Sequence, residues 1–223
     1  MSDRPTLYGS PHSQFTYKVA LMLRLAGEPF SFRYVSFRQG MHRTKEFRAL
    51  SPWAEVPVLV HRGRTMVQSA AILEYLAATL HRFAGETDEQ DQSIREWLYW
   101  DAHRLAPPIH AMYGVHLADR KLLPITYEPA IAEYHRTRTE TILAMFDERL
   151  DMEQARHGGG FLVGARATIA DIGCYGDVSF AELCGFKFGD KSWLSGWAAR
   201  IRSLRGFKAS HDLLPMADAE IDA

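Results

Sequence analysis

Two serines, Ser10 and Ser13, flank the turn-rich Ser10-Pro11-His12-Ser13, between a brief strand signal over Pro5 to Gly9 and a helical pattern that starts at Gln14. At that point the first N–H groups of the helix have no carbonyl partner inside it, and the helix dipole leaves a partial positive charge. Such a place favours an anion. A thiol held there has its pKa lowered from about 8.5, because the site stabilises thiolate over thiol, and a hydroxyl donating a hydrogen bond adds to the effect. The plainer role for both serines is to cap the helix. His12 is either a second group acting on such a thiol or its reaction partner, or an ordinary solvent-facing turn histidine.

A second stretch, Ser51 to Tyr75, carries complementary chemistry. Val58 to His61 reads as a short apolar strand, Arg62-Gly63-Arg64 as a tight turn and Thr65 to Gln68 as a second strand, together a β-hairpin. Ser69 stands where an N-cap would, and Ala70, Ile72, Leu73, Leu76, Ala77 and Leu80 follow at helical spacing. Pro57 at the mouth of the first strand withdraws a backbone donor and, in the cis state, turns the preceding backbone sharply. The N–H and C=O of Val56 are then expected at an exposed edge, open to an extended ligand. Beside them, the start of the following helix with Gln68 and Ser69 suits an anionic group. A backbone edge next to a carboxylate site points to a small anionic peptide.

The elements that hold these stretches follow from the pattern. Gln14 to Ala26 reads as a helix closed by Gly27, Phe30 to Phe37 as a strand, and Thr44 to Leu50 as a short helix after the break at Gly40. The order to residue 83 is β-α-β-α-β-β-α, a thioredoxin-like α/β plan. The polar run Gly85 to Gln92 is expected to be the linker, giving domains 1–83 and 93–223 with residues 84–92 between them. Beyond it the pattern is all helical. One long helix spans Ser93 to Leu122 and bends at Pro107-Pro108, and a second spans Glu128 to Arg156 and ends at Gly158-Gly159-Gly160. A third runs from Thr168 towards Gly185, followed by Ser192 to Leu204 and a short piece near the C-terminus.

Composition narrows the function classes. The 223 residues carry 26 Lys+Arg against 27 Asp+Glu, so no basic surplus points to nucleic acid or a membrane surface. No apolar run approaches the ~20 residues of a membrane helix, and the start MSDRPTLYG lacks a signal-peptide layout. Cys174 and Cys184 fall in one helix, about 15 Å apart at its rise per residue, too far for a disulfide with each other. A reducing, cytoplasmic setting is expected. The histidines form no H-E-x-x-H, no Cys/His cluster has zinc spacing, and no P-loop, G-x-G-x-x-G or G-x-S-x-G is present, so no metal is expected.

The Val-Pro, the hairpin, the Gln-Ser pair and the Ala/Ile-rich helix together resemble the glutathione-binding half of the cytosolic glutathione S-transferases. The resemblance implies a cis Pro57 and glutathione as co-substrate. LYGSPHSQFTYKV is similar to the first turn of phi- and theta-class members, which implies that Ser13 activates the thiol, with Ser10 as the fallback. No tyrosine stands where alpha-, mu- and pi-like chains place theirs, and no cysteine lies in the turn. In GMHRTKEF the spacing from Gly40 to Pro57 matches phi-class chains, so His42 and Arg43, with Lys45 beside them, are expected at the glycine carboxylate, by charge pairing.

Val56 and Pro57 would meet the peptide backbone, and Ser69 the γ-glutamyl carboxylate. Two positions depart from the pattern. Glu55 stands where phi-class chains have glutamine, and either repels one end of glutathione or points to solvent. Gln68 replaces their glutamate, as in mu- and pi-like chains. The box Thr168-Ile169-Ala170-Asp171, a helix cap in such chains, implies a folding role.

By resemblance, Pro11 and His12 with His110 and Tyr113 line the pocket of a small electrophile. The alternative for the aromatic face from Trp97 to His116 is plain core. The activity implied is a serine-type glutathione transferase in which glutathione, held as thiolate, attacks the electrophile. The implied assembly is a homodimer paired through the Gln68–Leu80 helix and the long helix. The alternatives are a non-catalytic glutathione-binding module and a glutathione-dependent peroxidase or isomerase. The zeta-class isomerases carry a Ser-Ser-Cys run that this turn lacks.

Overall fold

The computed structural model describes residues 4–189 and 192–222. Two compact units emerge, one of Met1–Arg82 with Ser203–Ala223 and one of Phe83–Arg202.

The first unit is built on a five-stranded sheet in the order β4-β3-β1-β2-β5, with β1 Thr6–Gly9, β2 Phe30–Tyr34, β3 Val58–His61, β4 Arg64–Val67 and β5 Ala219–Ile221. β1 runs parallel to β2 and antiparallel to β3, so Leu7 lies between Phe32 and Leu59, all three fully buried. Helix α1, Gln14–Ala26, keeps the bounds expected from its sequence. Ser13 caps it by accepting from the Thr16 N–H, and Gly27 closes it at φ 74°, a left-handed backbone that glycine adopts without strain. Gly9 matters for a different reason: a Cβ there would lie 2.1 Å from Thr16 Cγ2, so β1 ends hard against α1. A 3₁₀ turn at Met41–Arg43 leads into α2, Lys45–Leu50, and α3 spans Ser69–Leu80.

Three expectations shift within this unit. The second strand ends at Tyr34 rather than Phe37, because the chain turns back on itself there, with Met41 N–H bonded to Ser36 C=O. Both Arg62 and Gly63 have positive φ, 50° and 74°, as the two central residues of a type I′ hairpin must, so the turn is two residues long and β4 starts at Arg64. Gln68 is thereby outside the strand. It takes the cap position of α3 at φ 68°, without a side-chain cap bond, and Ser69 is the first helical residue rather than the N-cap.

The largest correction is β5. The end of the chain was expected among helices, yet residues 203–223 join the first unit, and β5 pairs antiparallel with β2. Its Glu220 accepts from Ser31 Oγ at 2.6 Å and from Arg33 Nη1 at 3.0 Å. A short helix, α9 at Ser210–Leu213, precedes it.

The second unit is helical: α4 Asp88–Trp100, α5 Ala106–Asp119, α6 Pro129–His157, α7 Ile169–Leu183 and α8 Trp193–Arg202. The polar run expected as a linker instead opens α4. Thr87 caps it through the Gln90 N–H, and Asp88, Glu89 and Asp91 sit in the first turn, where the positive helix end favours acidic groups. The disturbance expected at Pro107-Pro108 takes the form of a π-type turn, Asp101–Leu105, in which the Ala106 N–H reaches Asp101 C=O, five residues back. Neither proline can donate to the helix ladder, so the register slips in the turn before them.

The capping box at α7 is formed, and Asp171 does more than cap. Its fully buried carboxylate accepts from Thr168 N–H, Thr168 Oγ1, Leu162 N–H and Trp197 Nε1, at 2.8–3.0 Å. Burial pushes its pKa up while these bonds pull it down. Among the described residues no helix is long and apolar enough to cross a membrane.

Candidate functional site

The register of the sheet decides which loops meet. Gly9 pairs with Tyr34, Tyr8 with Val58, and Val58 with Val67. The turn after β1, the chain leaving β2, the segment entering β3 and the residue leaving β4 therefore share one end of the sheet. Ser10 to Ser13, His42 to Lys45, Val56-Pro57 and Gln68-Ser69 all belong to these segments.

Ser13 is the cap of α1. Its Oγ accepts from the Thr16 N–H at 3.2 Å, which uses a lone pair and leaves the hydroxyl proton for donation. Ser10 is enclosed by the turn at 1 % exposure, its Oγ accepting from the His12 N–H at 3.3 Å and its C=O from the Ser13 N–H. Pro11 is buried, and its C=O accepts from Ser210 Oγ at 3.2 Å. His12 is half-buried and meets His211 edge to face, ring centroids 6.0 Å apart. Burial, and then the charge of His211, hold the His12 pKa below the ordinary 6.5. His211 had no signal in the sequence, since its contact spans nearly the whole chain.

Around Pro57 the peptide bond from Val56 is cis. Among the described residues neither the N–H nor the C=O of Val56 has a hydrogen-bond partner. The loop before it is organised by the fully buried Ser51, which accepts from Ala54 N–H through its C=O and from Glu55 N–H through its Oγ. Glu55 is exposed, and its carboxylate accepts from Gln68 Nε2 at 3.3 Å. The two positions that depart from the family pattern thus touch each other.

Burial, followed by the charges of Arg43 and Arg48, holds the His42 pKa below the ordinary 6.5. Its Nε2 accepts from Arg43 Nε at 3.2 Å, its ring and that of Phe37 meet edge to face at 5.1 Å, and its enclosed Nδ1 has no hydrogen-bond partner among the described residues. The positive charge of this loop rests on the exposed Arg43 and Lys45.

In the second unit Tyr113 is core: 3 % exposed, edge-on to Phe180 at 4.7 Å and stacked with His116 at 5.7 Å. Burial pushes its hydroxyl pKa up. His110, three residues before it, is exposed. Among the described residues no group of three or more His, Cys, Asp or Glu is arranged to hold a metal ion.

Residues 12–79 match the family model described as "Glutathione S-transferase, N-terminal domain". The chain is 26% identical over 208 residues to glutathione S-transferase theta-2 of Mus musculus, covering 90% of this chain and 81% of that protein. A maleylacetoacetate isomerase of Rhizobium meliloti (strain 1021) is 30% identical over 177 residues, covering 77% of this chain and 79% of that one. The chain belongs to the cytosolic glutathione S-transferase family. A crystal structure described as a possible glutathione S-transferase from Rhodopseudomonas palustris superposes with a TM-score of 0.81 at 28% identity, covering 96% of this chain and 92% of that one. As a member of the transferase family, the chain has its family match over the unit that carries Ser13, His42, Pro57 and Ser69, while β5 and His211 lie outside the matched span.

Proposed function

We propose that this transferase-family chain is a serine-type glutathione transferase. What supports the reading is the meeting, at one end of the sheet, of a capped helix start with a hydroxyl proton to give, a free backbone edge at Val56, and the start of α3 at Gln68-Ser69. Glutathione lies with its cysteinyl backbone against the N–H and C=O of Val56. The γ-glutamyl carboxylate takes Ser69 and the free N–H groups of α3. Arg43 and Lys45 pair with the glycine carboxylate, and His42 shapes the loop that carries them. The thiol gives its proton to solvent, and the Ser13 hydroxyl donates to the resulting thiolate beside the positive end of α1. The sulfur lone pair then forms a bond to the electrophilic carbon of a small molecule, and the displaced electron pair leaves with the departing group or settles on an acceptor atom. Pro11 and His12 lie where that molecule would rest.

The setting proposed is cytoplasmic and the assembly a homodimer. In support of the assembly, α4 and α6 frame a groove of about 440 Å³ lined by Trp97, Trp100, Met145 and Met152.

The test is a pH titration of the ultraviolet thiolate absorbance of bound glutathione in the wild type and in Ser13→Ala. A depressed thiol pKa that returns towards the free value in the variant supports the reading. Firm binding with an unshifted thiol in both favours a non-catalytic binding module. The isomerase relative favours a second reading, glutathione-dependent isomerisation, yet the turn has no cysteine, and isomerisation of an unsaturated diketo acid without net glutathione consumption would be needed to adopt it.

A further inference from the structure

The segment before β5 is strapped along α1 and the turn that starts it. Arg24 Nε donates to Gly206 C=O at 3.1 Å, Tyr17 Oη to Lys208 C=O at 2.8 Å, and Ser210 Oγ to Pro11 C=O at 3.2 Å. The donors of these three ties are a guanidinium, a phenol and a hydroxyl, none of them an imidazole. The fourth tie is different. His12, one residue before Ser13, faces His211 on α9 at 6.0 Å, and both are imidazoles. Two imidazolium ions at that distance repel, and α9 has only four residues to resist. Of the other charged groups nearby, Asp212 on α9 and Lys208 before it are exposed, and Lys18 on α1 is buried with its ammonium 5.3 Å over the Phe15 ring.

We infer that His211 is a positioning residue of the thiol site, acting through His12 to hold the C-terminal strap against the turn that carries Ser13, and that the strap stays closed only while the two imidazoles share at most one proton. The inference rests on the proposed glutathione site for its consequence but not for its geometry. The sign follows from burial: the His12 pKa lies below the ordinary 6.5, so closure favours neutral His12 and is full above that value. It is lost as pH falls through the lowered His12 pKa. With the strap open, the turn loses its support at Pro11 and the ligand binds less well.

The test uses S-methylglutathione, which has no thiol to titrate, with the full chain and its His211→Gln and His211→Lys variants. Calorimetric affinity is measured from about pH 7.5 to about pH 5.5, the range in which imidazoles change charge. Amide hydrogen exchange at residues 206–214 is followed over the same range without ligand. In the wild type the affinity falls with pH by about fivefold or more, the low end of ordinary coupling between sites. H211Q flattens that fall, and H211K, with a permanent charge facing His12, retains it. Exchange at 206–214 follows the same order, and His12→Gln repeats the H211Q result. A purely structural His211 would weaken binding equally at every pH. Binding with the same pH dependence in all the proteins overturns the strap and leaves the glutathione site standing. No binding at any pH, with exchange still in the stated order, overturns the glutathione site and leaves the strap.

Discussion

Gln68 Nε2 donates to the Glu55 carboxylate at 3.3 Å, so the residue that caps α3 without a side-chain cap bond is held by a residue from the loop before Pro57. The bond fixes a negative charge beside the proposed γ-glutamyl position, where the ligand carries an ammonium as well as a carboxylate. Glu55→Gln keeps the shape and removes the charge. Glutathione affinity should fall about threefold to tenfold, the ~1 kcal/mol of one charge-assisted hydrogen bond in an exposed setting. Calorimetry checks it, and tighter binding would show that Glu55 repels the carboxylate instead.

Ser13 is expected to act twice, as cap and as donor, and the two can be separated. Ser13→Ala should lower thermal stability by about 1 kcal/mol through the lost cap and lower kcat/KM for conjugation by about tenfold to a hundredfold. Ser13→Asn restores a cap acceptor, so it should recover most of the stability. Denaturant midpoints and initial rates, read side by side, check the split; equal recovery of both would mean that the serine only caps.

The histidines set the direction of the pH dependence. His12 and His42 both have folded pKa values below the ordinary 6.5, each chiefly from burial. The unfolded chain takes up those protons first as pH falls. Their contribution to stability is therefore full above that value and is lost as pH drops through the lowered folded values. Urea midpoints should decline from about pH 8 to about pH 5. The decline should be shallower in a chain carrying both His12→Gln and His42→Asn, and an unchanged slope would exclude both groups.

The exposed apolar surface of the helical unit carries its own prediction. Tyr99, Met145 and Met152 are 71%, 43% and 58% exposed, and the two methionines line the groove between α4 and α6. Apolar surface marks an interaction site where it is large and contiguous. In the proposed homodimer, Tyr99→Glu with Met152→Glu should shift the mass measured by light scattering from two chains to one, and a wild type already of single-chain mass would refute the assembly.

What the sequence made legible follows from how locally each feature is written. Helix α1 could be bounded to the residue because Ser13 and Gly27 state its ends within a single turn of chain. β4 starts one residue before the sequence pattern suggests, because Arg62 carries the positive φ more often given to glycine or asparagine. The polar run at 85–92 looked like a linker because an acidic first helical turn and a loop share a composition. β5 has three residues, too few for an alternation to show, and its partner β2 lies some 190 positions earlier in register, Ser31 facing Glu220. His211 was invisible for the same reason, since nothing near it in the chain announces His12.

Asp171 shows the same limit in a place where it changes a magnitude. Its cap to Thr168 is written in four consecutive residues, and on that ground alone its removal costs about 1 kcal/mol. The structure adds Leu162 N–H and Trp197 Nε1 to the same carboxylate, all of it buried. Asp171→Ala strands these donors away from water, at ~1–3 kcal/mol for each that stays unpaired. The expected loss is ~3 kcal/mol or more, and Asp171→Asn, which keeps one acceptor oxygen, should recover part of it. Trp197 reports the change directly, because its indole loses its partner and its fluorescence should shift in both variants. Since Asp171 lies outside the sheet-end loops, glutathione affinity measured below the unfolding transition should stay near the wild-type value. A loss of affinity without a loss of stability would show that this carboxylate belongs to the chemistry after all.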